Sequence, residues 1–167
     1  DMNRLKNKNF PNISLPNQDG NSLNLHRLDT FRMVLYFYPM TGRPDRPLPD
    51  NWNNIPGAKG CTIQTCSFRD NYDEIINLNA VPIGISSQSV DDNKEMTSRL
   101  KVPYDVLSDE KLELSKELNI PTFSVNSKIF LKRITLIVEK KIIKKVFYPI
   151  NDINNHIEEV LKWLKEN

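Results

Sequence analysis

The two cysteines of the chain, Cys61 and Cys66, lie five positions apart. A stretch rich in Pro, Asn and Gly ends at Gly60, and apolar spacing typical of a helix begins at Thr62, so Cys61 is expected at a junction between a loop and a helix. Free backbone N–H groups and the helix dipole favour a thiolate at such a junction, and Lys59 adds positive charge. A thiolate there can attack the O–O bond of a peroxide and become a sulfenic acid.

Cys66 follows Cys61 by about one and a half turns of the expected helix. Ideal helix geometry separates the two Cα atoms by about 8 to 9 Å, whereas a disulfide spans at most roughly 7 Å without backbone movement. A structural disulfide is therefore not expected in the intact helix, and the spacing favours a disulfide that closes only after the first turn unwinds.

Three other interpretations of the cysteines remain open at this point. Cys66 is also explained as a small buried core residue. A metal site is disfavoured because no Cys-x-x-Cys pair is present and His26 and His156 are both distant in sequence. A thioredoxin-type dithiol is disfavoured because its cysteines would stand three positions apart.

The elements expected to position the cysteines alternate between strands and helices. The chain opens with a predicted hairpin, and Met33 to Tyr38 forms a continuous apolar run typical of a central buried strand. A loop from Met40 to Gly60 contains Pro44, Pro47, Pro49 and Pro56. The further predictions are helices over Thr62–Leu78, Val90–Leu100, Glu110–Leu118 and Asp152–Leu164, and strands over Val81–Ile85, Asp105–Leu107, Ile129–Glu139 and Ile142–Tyr148.

This order of elements predicts an α/β thioredoxin-like sandwich with an N-terminal β-hairpin extension, in a single domain over residues 1–167. Hydrophobic residues make up 38% of the chain and charged residues 26%, which is an ordinary globular mixture. No apolar run approaches the roughly 18 residues of a membrane span, and the N-terminus lacks the apolar core of a secretory signal, so the cytoplasm is the expected location.

The charge pattern gives no indication of a nucleic-acid partner. The formal net charge is +2, too small to create a strongly attractive field. The most basic cluster, Lys140, Lys141, Lys144 and Lys145, falls on a predicted hairpin, where lysines commonly protect an exposed strand edge.

Four segments together resemble the bacterioferritin-comigratory, or Q-type, peroxiredoxins: Tyr36 to Pro39, Gly60 to Asp70, Ile83 to Ser86 and Leu107 to Asp109. The resemblance runs from about Phe10 to Leu164. It implies the peroxiredoxin fold, with Cys61 as the peroxidatic cysteine and Cys66 as the resolving cysteine. It also implies a hydroperoxide substrate, a thioredoxin or similar dithiol reductant, and no metal or organic cofactor.

The resemblance assigns further residues to the site. Arg133 lies on a predicted strand similar to the one that carries the family's arginine, which would hold the thiolate and orient the peroxide. Pro39, Gly60 and Thr62 match positions that support the substrate site. An ordinary strand-surface arginine is the alternative interpretation of Arg133.

The chain departs from the family pattern in two ways. Ala58 stands where a Thr or Ser hydroxyl would bind the peroxide, and backbone N–H groups, Thr41 and Thr62 are the candidates to replace that donor. Pro39 lies 22 positions before Cys61, which indicates an insertion similar to one in a set of bacterial redoxin-domain proteins.

The sequence thus predicts a thiol peroxidase, as a monomer or weak homodimer, that uses Cys61, Cys66 and Arg133. The alternatives are a redox sensor or interaction module with weak peroxidase activity, and a protein disulfide oxidoreductase. The rate toward peroxide, compared with the rate toward a protein disulfide, would distinguish these functions.

Overall fold

Nine short strands and five α-helices make up the chain, which the computed structural model describes from residue 1 to residue 167. The strands are β1 (Ser14–Pro16), β2 (Ser22–Asn24), β3 (Arg32–Phe37), β4 (Ala80–Ser86), β5 (Val106–Ser108), β6 (Thr122–Val125), β7 (Lys128–Leu131), β8 (Ile134–Glu139) and β9 (Ile142–Phe147). The helices are α1 (Cys61–Asp70), α2 (Tyr72–Asn77), α3 (Val90–Leu100), α4 (Glu113–Leu118) and α5 (Ile153–Glu166). None of the helices has both the length and the apolar character needed to cross a bilayer.

Five of the strands form a mixed central sheet in the order β5-β4-β3-β8-β9. Strand β3 pairs parallel with β4 and antiparallel with β8, so it lies in the middle of the sheet. Every residue of β3 is buried, as the continuous apolar run predicts for a strand covered on both faces. The predicted α/β sandwich and its N-terminal hairpin, formed by β1 and β2, are both confirmed.

The two faces of the sheet have separate cores because successive side chains of β3 point to opposite sides. Val34 and Tyr36 face α1, α2, α3 and α5, whereas Leu35 and Phe37 face α4 and the N-terminal hairpin. Tyr36 also explains a glycine in the neighbouring strand, since a Cβ atom at Gly84 would lie 2.8 Å from the Tyr36 hydroxyl.

The structure corrects three of the predicted elements. The helix expected over Thr62–Leu78 is two helices, because Asn71 leaves the helical conformation at the junction of α1 and α2. The helix expected over Glu110–Leu118 begins only at Glu113, since the preceding Leu112 has a positive φ of 59°.

The third correction concerns the strand predicted over Ile129–Glu139, which is two strands separated at Lys132 and Arg133. The first part, β7, pairs with β6 in a separate two-stranded ribbon, and the sequence pattern did not predict β6. The last hydrogen bond beside this ribbon joins the Lys132 N–H to the Pro121 carbonyl, and β8 then pairs with β3 from Ile134 onward. This break frees Arg133 from regular strand geometry.

The Pro-rich loop, residues 38–60, is fastened to the rest of the fold by polar contacts. Arg43 and Arg46 both pair with Asp92 at the start of α3, at 3.3 and 2.9 Å. Arg99 near the end of α3 donates to the carbonyl of Gly42 at 2.9 Å. The loop therefore has a fixed path over the end of the sheet.

An aromatic cluster attaches the second half of this loop to the β6–β7 ribbon. Trp52 is buried, and its ring lies 4.9 Å from that of Phe130 and 5.8 Å from that of Phe123. Ala58 completes this small core and is fully buried. The cluster thus fixes the position of Ala58, which lies three residues before Cys61.

Candidate active site

Cys61 is the first residue of α1, and Gly60 is its N-cap. Gly60 has a φ of 100°, which L side chains rarely adopt, and a Cβ atom there would lie 2.5 Å from Cδ1 of Ile153 at the start of α5. Glycine therefore allows the loop to turn into the helix beneath α5. The turn leaves Cys61 only 2% exposed, at the end of the helix where backbone N–H groups are free.

Arg133 binds the Cys61 sulfur directly. Its Nη2 lies 3.2 Å from Sγ and also donates to the carbonyl oxygens of Gly57 and Lys59, both at 3.1 Å. The guanidinium is buried, so solvent does not screen its charge. A guanidinium donor and a helix N-terminus at one sulfur are the arrangement that stabilises a thiolate.

Gln64 is the third member of this group, one helical turn after Cys61. Residues three apart share a helix face, so both side chains point toward Arg133. Gln64 Oε1 accepts a hydrogen bond of 2.5 Å from Arg133 Nη1, and the side chain is 1% exposed. The two terminal nitrogens of Arg133 thus connect the Cys61 sulfur to the side-chain amide of Gln64.

A sequence model described as Redoxin matches residues 5–161. The chain belongs to the redoxin family. A curated relative, chloroplastic peroxiredoxin Q of Populus jackii, is 30% identical over 156 residues, which are 93% of this chain and 65% of the Populus protein. Peroxiredoxin Bcp of Escherichia coli is 28% identical over 162 residues, covering 94% of this chain and 93% of its own. The redoxin thus spans 65% of the length of the Populus relative.

Solved structures give the same fold for this redoxin. Peroxidoxin BcpB of Mycobacterium tuberculosis superposes with a TM-score of 0.80 at 22% identity, covering 96% of both chains. A mutant PrxQ of Xylella fastidiosa superposes with a TM-score of 0.78 at 20% identity, covering 96% of this chain and 95% of its own. The expected peroxiredoxin fold is therefore confirmed.

Near Cys61, this redoxin has an apolar position where a hydroxyl was expected. Ala58 packs into the aromatic cluster beside Trp52 and Phe130, and a hydroxyl at this position would enter an apolar core. The backbone of Ala58 still faces the site, since its carbonyl accepts a weak hydrogen bond from the Cys61 thiol at 3.6 Å.

The two threonines considered as replacement donors differ in their surroundings. The Thr41 hydroxyl donates to Gln88 Oε1 at 3.2 Å, so its proton is already used in fixing the Pro-rich loop. Thr62 is partly exposed on the first turn of α1, and its hydroxyl makes no hydrogen bond to the Cys61 sulfur. Pro39 is buried two residues after the end of β3, near the start of the loop.

Cys66 is a free, half-buried thiol in the middle of α1. The raised pKa values of Arg69 and Arg99 are caused mainly by hydrogen bonds to Asp70 and Glu95, respectively, and the nearby Cys66 thiol also contributes. Cys66 therefore lies near two arginines, each of which is paired with a carboxylate. Both cysteines belong to one continuous helix, as the spacing predicts.

His156 on α5 is a buried titratable group behind Arg133. Its Nε2 lies 2.8 Å from Thr135 Oγ1, and its ring packs edge-on against Phe68 and Phe147. Burial and, to a smaller extent, the positive charge of Arg133 together lower the pKa of His156 to about 4. His156 is therefore neutral at physiological pH.

The structure brings Cys61, Gly60 and Arg133 together, as the resemblance implies, and adds Gln64, which the sequence analysis missed. The signal for Gln64 was its spacing, because a polar residue three positions after Cys61 shares its helix face. No group of three His, Cys, Asp or Glu side chains converges anywhere in the chain.

Proposed function

We propose that this chain is a thiol peroxidase that reduces hydrogen peroxide or small organic hydroperoxides. The Cys61 thiolate attacks the terminal oxygen of the hydroperoxide, so that an S–O bond forms while the O–O bond breaks. The electron pair of the broken bond leaves with the second oxygen, which takes a proton and departs as water or an alcohol. Sulfur is oxidised to sulfenic acid, and the peroxide is reduced by the same two electrons.

One observation carries this proposal: the buried Arg133 donates to the Cys61 sulfur at 3.2 Å, at the N-terminus of α1. A structural cysteine in an apolar core has no use for a buried guanidinium, whereas a nucleophilic thiolate is stabilised by one. The names of the Populus and Escherichia relatives, both peroxiredoxins, support the same activity.

Cys66 completes the proposed cycle by attacking the sulfenic acid of Cys61. The new disulfide forms as the hydroxyl of the sulfenic acid leaves as water. Because both cysteines lie in α1, the first turn must unwind before the sulfurs meet. A dithiol protein of the thioredoxin type then reduces the disulfide by thiol exchange. The proposal places a monomer or weak homodimer in the cytoplasm, with no metal or organic cofactor.

The test measures peroxide consumption coupled to thioredoxin, thioredoxin reductase and NADPH. We expect Cys61→Ser to abolish turnover, and full activity in that variant would reject the proposal. Cys66→Ser serves as the matched control, since it should consume one equivalent of peroxide and then stop. Mass spectrometry after one equivalent should show the loss of two hydrogens in the wild-type chain, located at the two thiols.

The same experiment separates the two other functions considered. A redox sensor would form the disulfide slowly and would not turn over with the reductant. A protein disulfide oxidoreductase would react faster with a protein disulfide than with peroxide. The 2% exposure of Cys61 argues against the oxidoreductase, because a bulky protein disulfide cannot reach a buried sulfur without opening of the site.

A further inference from the structure

Gln64 holds two unused hydrogen-bond donors beside the proposed nucleophile. Its Nε2 is buried and has no hydrogen-bond partner within the protein, although Oε1 of the same amide accepts from Arg133. A buried amide that leaves its N–H groups unpaired is unfavourable and uncommon, so such a group in a reactive site points to a ligand.

The orientation of this amide is fixed by chemistry. Arg133 Nη1 is a donor, so it requires the Gln64 oxygen and not the nitrogen as its partner. Rotating the amide by half a turn would place two donors against each other. The N–H groups of Gln64 therefore point away from Arg133 Nη1.

The site also lacks the side-chain hydroxyl that would serve the proposed reaction, and most of its other side-chain donors are occupied. Negative charge develops on the leaving oxygen as the O–O bond breaks, and a donor placed there lowers the barrier. Ala58 provides no hydroxyl, and the Thr41 hydroxyl is bound to Gln88. Arg133 Nη2 is already directed at Cys61 and two carbonyls.

We propose that the side-chain amide of Gln64 donates a hydrogen bond to the leaving oxygen of the peroxide, in place of the hydroxyl absent at Ala58. This inference rests on the proposed peroxidase function and adds a second task for Gln64. Its oxygen positions Arg133, while its nitrogen contacts the substrate.

The test compares two reactions of Cys61 in the Cys66→Ser background. Oxidation by hydrogen peroxide needs a donor for the leaving oxygen, whereas alkylation by iodoacetamide needs only the thiolate. Gln64→Glu keeps the acceptor for Arg133 but removes both donors. We expect the peroxide rate constant to fall about 10²-fold and the alkylation rate constant to fall less than about tenfold.

The ratio of the two rate constants decides the outcome, because the charge added by Gln64→Glu affects the thiolate in both reactions. An unchanged ratio would overturn the inference. Gln64→Met is the second variant, since it removes the donors without adding charge, and it should lower the same ratio.

If the ratio falls in Gln64→Met but not in Gln64→Glu, the inference is overturned. Gln64 would then only position Arg133. The Nε of Arg133, which also has no partner, is retained in both variants, so a donor role for that atom would leave the ratio unchanged. If the Cys66→Ser parent reacts with iodoacetamide but not with peroxide, the peroxidase function itself fails, which is a different result.

Discussion

At the scale of single residues, Arg133 is the centre of the site because its two terminal nitrogens serve different partners. Nη2 holds the Cys61 sulfur and two loop carbonyls, and Nη1 holds Gln64. Only the planar guanidinium can present donors in this fixed fork, since a lysine ammonium is a single compact charge. Arginine at this position is therefore a requirement of geometry as well as of charge.

We predict that Arg133→Lys lowers the rate constant of Cys61 with peroxide by roughly 10²- to 10³-fold, because a transition-state donor is lost while the charge is kept. Stopped-flow measurement of the peroxide reaction checks the change. Arg46→Lys is the matched control, since Arg46 is exposed and pairs only with Asp92. Equal rates in the two variants would contradict the role given to Arg133.

Part of the site could be predicted from single residues. The position of Cys61 followed from the change between a Pro-rich stretch and helical spacing, both of which are local properties of the chain. The environment of Ala58 could not be predicted, because the cluster around it joins Trp52 to Phe130 from a distant ribbon. Contacts between segments so far apart in sequence leave no local pattern.

At the scale of elements, α1 is fastened to the rest of the fold at its middle as well as by Arg133 at its first turn. The Tyr104 hydroxyl donates to the Thr65 carbonyl at 2.9 Å, and Arg69 donates to the Leu100 carbonyl at 2.7 Å. Cys66 lies between these two attachment points. Once Arg133 releases Cys61 and Gln64, the first turn can unwind toward Cys66, and unwinding that passes Thr65 breaks its hydrogen bond to Tyr104.

We predict that Tyr104→Phe accelerates disulfide closure about fivefold, because α1 loses its hydrogen bond at Thr65, a net contribution of about 1 kcal/mol, and this loss favours the opened helix. The initial oxidation of Cys61 should change little, since Tyr104 does not contact that sulfur. Rapid-quench mass spectrometry distinguishes the two steps.

Tyr72→Phe is the control for this variant. The Tyr72 ring stacks on that of Tyr104, with centroids 6.3 Å apart, but its hydroxyl makes no hydrogen bond within the protein. Closure at the wild-type rate in Tyr104→Phe would show that α1 opens without breaking this contact.

The prediction of elements succeeded where periodicity was strong and failed at interruptions. Helix α3 has the predicted bounds, and its N-cap Ser89 accepts from the Asp92 N–H. The break between α1 and α2 at Asn71 was missed because apolar residues continue on both sides of it. The division of the strand at Arg133 was missed because the apolar spacing on either side gave no sign that the chain changes partner strands.

At the scale of the whole molecule, β8 and α5 come together behind the active site at His156. Its low pKa means that the folded protein favours the neutral ring, whereas the unfolded chain binds a proton with an ordinary pKa of about 6.5. Protonation therefore favours unfolding. The neutral ring of His156 contributes about 3 kcal/mol to the free energy of unfolding. This contribution is complete above about pH 6.5 and is lost as the pH falls toward about 4.

We predict that the wild-type chain loses about 2 kcal/mol more unfolding free energy than His156→Gln between about pH 7.5 and about pH 5. Glutamine can still bind the Thr135 hydroxyl but does not titrate. Urea unfolding at the two pH values gives the comparison. His26→Gln, which replaces the only other histidine of the chain, controls for the loss of a histidine as such.

The overall architecture was the most predictable level, since the alternation of buried strands and amphipathic helices is repeated along the chain. The arrangement of His156, Thr135 and Arg133 was not predictable, because it depends on how α5 packs over the sheet. Local spacing specifies which face of α5 is apolar, but not which polar residue lies beneath it.

The position of Trp52 gives this protein an intrinsic fluorescence reporter. Its indole belongs to the same small core as Ala58, three residues before Cys61, whereas the other tryptophan, Trp163, lies on α5. A movement of the cysteine that pulls on this core changes the polarity around one indole of the two. We therefore expect the emission spectrum to change when peroxide oxidises the chain, which a fluorimeter can record in real time without an attached dye.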